Sequence, residues 1–127
     1  MRAAARHLVL VVEDSDAIRA AFTILLEESG YDVAAAPNGA EAVRMAAERA
    51  PDLVLLDLGL PDIPGVEVAR RIRLGAGAGR IPIVALTGRD DDADREALRH
   101  AGCSAYLVKP VDTQTLIRDL PGYIAEG

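Results

Sequence analysis

Asp52-Leu53-Val54-Leu55-Leu56-Asp57 sets four consecutive apolar residues between two carboxylates. An unbroken apolar run of this length reads as a strand covered on both faces, as in a parallel sheet with helices above and below it. Leu8-Val9-Leu10-Val11-Val12 and Ile83-Val84-Ala85-Leu86 read the same way. With Tyr31–Ala36 and Ala105–Val108 they make five candidate strands, the outer limits of the three continuous ones being His7–Val12, Asp52–Leu56 and Ile81–Leu86.

The intervals carry helical periodicity. Ile18, Phe22, Leu25 and Leu26 mark a first helix ended by Gly30. Ala42, Val43, Ala46 and Ala47 mark a second, with Asn38 as its N-cap and Pro51 beyond its end. Val66, Ala69 and Ile72 mark a third; Ala93, Ala97, Leu98 and Ala101 a fourth, ended by Gly102. Leu116, Ile117, Leu120 and Ile124 mark a fifth, capped by Asp112 or Thr113, and Pro121-Gly122 predicts that it is short or kinked. Strands alternating with helices give an α/β fold, (βα)5, and right-handed crossovers make it a doubly wound parallel sheet. The expected strand order is the flavodoxin-like 2-1-3-4-5, in a single domain spanning residues 1–127. Leu74-Gly75-Ala76-Gly77-Ala78-Gly79 reads as a linker: a phosphate-cradling loop would follow a strand and open a helix, and this one does the reverse.

Composition narrows the function. Half of the 127 residues are hydrophobic, enough for one core, and the net charge of -6 argues against a nucleic-acid or anionic-membrane surface. The apolar run after the N-terminus is too short for a signal peptide or a membrane span. One cysteine, Cys103, permits no internal disulfide and fits a reducing cytoplasm; it reads as a packing residue. His7 and His100, as possible phosphocarriers, fall at the wrong end of the sheet and late in a helix. Among 14 basic residues Lys109 is the lone lysine, which suggests a position that needs a compact ammonium.

Ligands of doubly wound sheets bind outside the carboxyl ends of the strands. Glu13 and Asp14 follow the first strand, Asp57 ends the third, Thr87 the fourth and Lys109 the fifth. The second ends in Ala35-Ala36-Pro37 and brings nothing, as the outer position in this order predicts. Each residue has an ordinary alternative: Glu13 and Asp14 as helix caps, Asp57 as a loop residue, Thr87 as a turn, Lys109 as a strand exit. Their convergence is what carries weight. Carboxylates within about 4 Å repel by about 4 kcal/mol per pair at an effective dielectric of 20. A hard cation such as Mg²⁺ relieves this, held by carboxylates and completed by waters and a phosphate. Asp57 is then the candidate nucleophile for a phosphoryl group, with Lys109 and the Thr87 hydroxyl on its oxygens and Gly88 leaving room.

Over essentially its whole length the chain resembles receiver domains of bacterial response regulators. The resemblance rests on Leu10-Val11-Val12-Glu13-Asp14-Ser15, Asp52–Asp62, Ala85-Leu86-Thr87-Gly88 and Ala101–Pro110. It implies Asp57 as phosphoacceptor and Glu13, Asp14, Asp57 and the Gly59 backbone carbonyl as Mg²⁺ ligands. It further implies Lys109 as the phosphate-binding lysine, Thr87 and Tyr106 as switch residues and a cis Lys109–Pro110 bond. Gly59 and Arg89 depart from the usual pattern at positions that modulate phosphate lifetime, and Pro64 departs before Gly65. Leu58–Asp62 and Lys109–Asp112 look most similar to receivers of hybrid histidine kinases; with no output domain after the fifth helix, the expectation is a stand-alone receiver or one excised from such a kinase. The implied donor is a phosphohistidine on a sensor or hybrid histidine kinase or a phosphotransfer protein. The implied output is the face of the fourth helix, fifth strand and fifth helix, read by a downstream protein or a second copy. Such a domain assists its own phosphorylation and dephosphorylation without being an enzyme. The alternative is a pseudo-receiver, a protein-binding module that is not phosphorylated. A metal-dependent phosphatase would want a carboxylate where Gly59 stands, and a flavin-binding module a less acidic first loop than Glu13–Asp16.

Overall fold

The computed structural model describes residues 6–75, 81–88 and 92–126. In chain order the elements are β1 (Leu8–Val12), α1 (Asp16–Glu28), β2 (Asp32–Ala36), α2 (Gly39–Arg49), β3 (Leu53–Asp57), α3 (Gly65–Leu74), β4 (Ile83–Thr87), α4 (Asp92–His100), β5 (Ala105–Val108) and α5 (Thr113–Glu126). The five strands form one parallel sheet in the order β2-β1-β3-β4-β5, as the sequence predicts.

The apolar runs explain the layering. Every residue of β3 and β4 is buried. On one face of the sheet Leu10, Val54, Leu56 and Ile83 pack with Ala42, Ala46, Val68 and Ile72 of α2 and α3. On the other, Val9, Leu53, Leu55 and Val84 pack with Leu26 of α1 and Leu116 and Leu120 of α5. Burying each such branched side chain contributes about 1.5–3 kcal/mol relative to exposing it. Asp52, the first carboxylate of the decisive stretch, is structural: its Oδ2 accepts from Leu8 N at 2.7 Å, and its own N–H donates to Leu8 O at 2.8 Å, pinning the start of β3 to β1.

The caps follow local chemistry. Asn38 Oδ1 accepts from Glu41 N at 2.9 Å, and Ser15 Oγ from Ile18 N at 3.3 Å. Ser15 is therefore the cap of α1, and neither Glu13 nor Asp14 is. Asp112, not Thr113, caps α5, its Oδ1 accepting from Gln114 N at 3.0 Å. Gly102 ends α4 with φ +99°, where a β-carbon would also meet Arg73 Nε at 2.8 Å.

One expectation needs correction. α5 is not shortened at Pro121-Gly122 but runs on to Glu126. Proline inside a helix costs about 3 kcal/mol. Leu116 and Leu120 before it, and Tyr123 and Ile124 after it, all pack on the same core, which holds both halves in place, while Pro121 and Gly122 lie on the exposed side. His7 and His100 are exposed, and Cys103 packs against the α2–α3 core. Within the linker Leu74-Gly79, only Leu74 and Gly75 fall among the described residues; α3 ends there, and the rest lies outside them.

Candidate functional site

Strand register delivers the polar residues to one edge. Val12 is level with Leu56, Asp57 with Leu86 and Thr87 with Val108, so Glu13, Asp57, Thr87 and Lys109 leave the sheet together. Main-chain bonds continue past the strand ends: Glu13 N donates to Ala36 O (3.1 Å), Leu58 N to Leu86 O (3.1 Å) and Lys109 N to Thr87 O (2.7 Å). β2 adds no side chain to the cluster; beyond it Asn38 is occupied with capping α2.

Glu13, Asp57 and Thr87 are 4%, 3% and 5% exposed, the only polar side chains buried to that degree among the described residues. Carboxylate oxygens of Glu13, Asp14 and Asp57 lie within 4.8 Å of one another, with Asp14 on the solvent side. Lys109 Nζ donates to Asp57 Oδ1 at 2.5 Å. Gly59 N approaches the same oxygen at 3.4 Å. Glu13 Oε2 accepts from Ser15 N at 2.9 Å. Burial pushes the Glu13 carboxyl above its ordinary range; Asp57 and Asp14 push it the same way, while the Ser15 N–H and Lys109 oppose them. Among the described residues, three acid side chains face one ammonium, which leaves uncompensated negative charge. An all-oxygen cluster of this kind, part buried and part open, fits a hard divalent cation.

The loop from Asp57 to Gly65 is fastened at two points. A β-carbon on Gly65 would stand 2.7 Å from Leu58 Cα, so glycine alone permits that approach. Asp62 Oδ1 and Oδ2 accept from Gly39 N (2.8 Å) and Ala40 N (3.0 Å) at the start of α2, which holds the Asp62 carboxyl below its usual range. A β-carbon on Gly59 would lie 3.8 Å from Asp57 Oδ2, so this position looks directly onto the acid, and glycine leaves it open. Gly88 likewise has open space around it. Pro64 is the residue before α3, which it enters without a side-chain cap. Arg89 lies outside the described residues.

Tyr106 sits half-buried on β5, with Arg95 Cζ 5.1 Å from its ring centroid. The Lys109–Pro110 bond is cis, as the resemblance implies. Burial pushes the Cys103 thiol up to about 11, which suits a packing residue rather than a nucleophile.

Two contributors escape the sequence reading. In the sequence Asp62 is distinguished only as the last residue of the Leu58–Asp62 motif, and its partners lie 22 and 23 residues away. Arg19 donates from Nη1 to the carbonyl of Glu13 (2.9 Å) and from Nη2 to Asp16 Oδ1 (2.5 Å). Its signal was an arginine in the first turn of a helix, where the dipole disfavours a cation.

Residues 9–120 match the family model described as response regulator receiver domain. The chain belongs to this family. It is 35% identical over 119 residues to the polar-differentiation response regulator DivK of Brucella anthropi, covering 94% of this chain and 97% of that one. Among solved structures it is similar to the receiver domain of sensor histidine kinase PA1611 from Pseudomonas aeruginosa, crystallised with a magnesium ion in the active-site cleft. That match has 35% identity and a TM-score of 0.86, covering 95% of this chain and 99% of that one. It also resembles chemotaxis protein CheY4 of Vibrio cholerae, with 29% identity, a TM-score of 0.89 and coverage of 94% and 99%. The protein is thus the receiver domain of a two-component response regulator.

Proposed function

We propose that residues 1–127 act as one phosphorylation-driven switch, with Asp57 as phosphoacceptor. The observation that carries this is the buried Asp57 carboxylate, 2.5 Å from the lone lysine and beside two further acids. Glu13, Asp14, Asp57 and the Gly59 carbonyl would hold Mg²⁺. The ion supplies the positive charge that lets these acids and an incoming phosphoryl group coexist.

The remaining steps belong to the chain. An Asp57 oxygen forms the new P–O bond as the donor's P–N bond breaks, the electron pair leaving on the imidazole nitrogen. Lys109 passes from Asp57 to a phosphoryl oxygen, and the Thr87 hydroxyl donates to another. Hydrolysis by water returns Asp57 and inorganic phosphate. Access for that water is set at Gly59 and Arg89. Thr87 moving toward the phosphoryl group draws Tyr106 inward and repacks the α4–β5–α5 face for a downstream protein or a second copy. The donor is a phosphohistidine on a sensor or hybrid histidine kinase or a phosphotransfer protein. An open cavity of about 440 Å³ is lined by Glu13, Ile18, Phe22, Lys109, Pro110 and Val111, beside Asp57 rather than over it, and would receive part of that donor. A cytoplasmic location belongs to the same proposal. No helix among the described residues is long and apolar enough to cross a membrane.

Incubation with acetyl phosphate and Mg²⁺, followed by intact mass, tests the reading. The expected result is a gain of one phosphoryl group, absent in Asp57→Asn and with a chelator. No gain, together with no binding of beryllium fluoride, would support a protein-binding module that is not phosphorylated.

A further inference from the structure

Arg19 is the least expected charge near the site. It stands in the first turn of α1, where the positive end of the helix disfavours a cation. Its side chain is nonetheless only 20% exposed. The guanidinium bends back past the helix start. Nη1 donates to the carbonyl oxygen of Glu13 at 2.9 Å and reaches that of Asp14 at 3.5 Å, while Nη2 is anchored on Asp16 Oδ1 at 2.5 Å. The planar fork thus ties the main chain of two consecutive acids to the first residue of the helix.

The Glu13–Asp14 segment is otherwise a short bridge between β1 and α1. Its start is fixed by Glu13 N on Ala36 O, and the Glu13 carboxylate is fixed by Ser15 N. Mg²⁺ tolerates little error in the placing of its oxygen ligands, so ligand supports count heavily in its affinity. We propose that Arg19 is a positioning residue for the metal site: by gripping the carbonyls of Glu13 and Asp14, it preorganises their carboxylates for the cation. This rests on the reading of those acids as Mg²⁺ ligands.

The test is Mg²⁺ binding by calorimetry in wild type, Arg19→Met and Arg19→Lys. Methionine keeps the stem and removes the fork; lysine keeps the charge but offers one ammonium to three acceptors. The Kd is expected to rise about tenfold in Arg19→Met, with partial recovery in Arg19→Lys. At saturating Mg²⁺ the phosphorylation rate should return close to wild type. In the metal-free protein, amide exchange at Ser15, whose N–H is held by the Glu13 carboxylate, should quicken. An unchanged Kd in a folded but less stable Arg19→Met would reduce Arg19 to a structural role and overturn the proposal. A tighter Kd would overturn it differently, by making Arg19 a repelling charge. If Arg19→Met does not fold, Arg19→Lys alone decides by the same criterion. A wild type that binds no Mg²⁺ would sink the reading of the acids as ligands along with this inference, whereas wild-type binding with indifferent variants sinks only the inference.

Discussion

β3 and β5 end at the same edge of the sheet, yet they are built for different purposes. All five residues of β3 are buried, with neighbours on both sides in the sheet and helices on both faces. β5 is an outer strand: Ala105, Tyr106 and Leu107 are half-buried and Val108 is exposed. Asp57, the proposed acceptor, thus stands on the strand that cannot shift without disrupting both cores, while Tyr106 stands on one with room to move and Lys109 directly follows it. The difference suggests a division of labour, with chemistry on the rigid strand and signalling on the softer one.

The sharpest test of that division is at its two ends. Asp57→Asn should abolish phosphorylation from acetyl phosphate, read by intact mass, while leaving the fold intact. Lys109→Met should bind Mg²⁺ but slow phosphorylation by about 10²–10³-fold, the scale for losing one donor to a developing oxyanion. Rates equal to wild type in the lysine variant would mean that the 2.5 Å pair is merely structural.

Core substitutions compare the strands themselves. Leu55→Ala should cost about 2–5 kcal/mol in urea unfolding. Leu107→Ala, half-buried, should cost about 1–2 kcal/mol. Equal costs would erase the contrast between the strands.

A subtler effect concerns Glu13. Its folded pKa is raised, so its charge opposes folding in the metal-free protein at neutral pH. That penalty is fully present above the raised pKa and fades as pH falls toward the ordinary value of 4.5. Glu13→Gln should therefore stabilise the metal-free protein at pH 7, with the gain shrinking toward pH 4.5, while weakening Mg²⁺ binding. Glu67 has the opposite sign: held at about 2 by Arg70 and Arg71, it supplies stability that is lost as pH falls from 4.5 through that value. Thermal melts in chelator across this range separate the two.

The smallest effect lies on the soft side. Removing the cation over Tyr106 with Arg95→Ala forfeits about 0.5–1 kcal/mol, shifting the ring's conformational balance by a factor of about 2–5. Side-chain NMR of Tyr106 would register it.

These contrasts also mark what the sequence could disclose. The buried strands were legible because apolar runs have no ambiguous face, and strand ends in a doubly wound sheet have a known use. Asp57, Glu13, Asp14, Thr87 and Lys109 all fell at such ends, and the structure brings them to one edge. The expectation of a short fifth helix fails at Pro121, because a local helix breaker is outweighed by apolar residues packed on both sides of it. Arg19 and Asp62 were missed for another reason. Their role is to bond the main chain, and a carbonyl or an amide leaves no trace in residue type.

A charge event at Asp57 is expected to move the β5 side while β1 and β3 hold still. Amide NMR of the Mg²⁺-loaded protein with and without beryllium fluoride would read this out. The expected result is large shifts at Thr87, Tyr106 and along α4–β5–α5, with the amides of Val9–Val11 and Leu53–Leu55 nearly unmoved. Shifts confined to the residues around the carboxylates, or spread equally through β1 and β3, would contradict it.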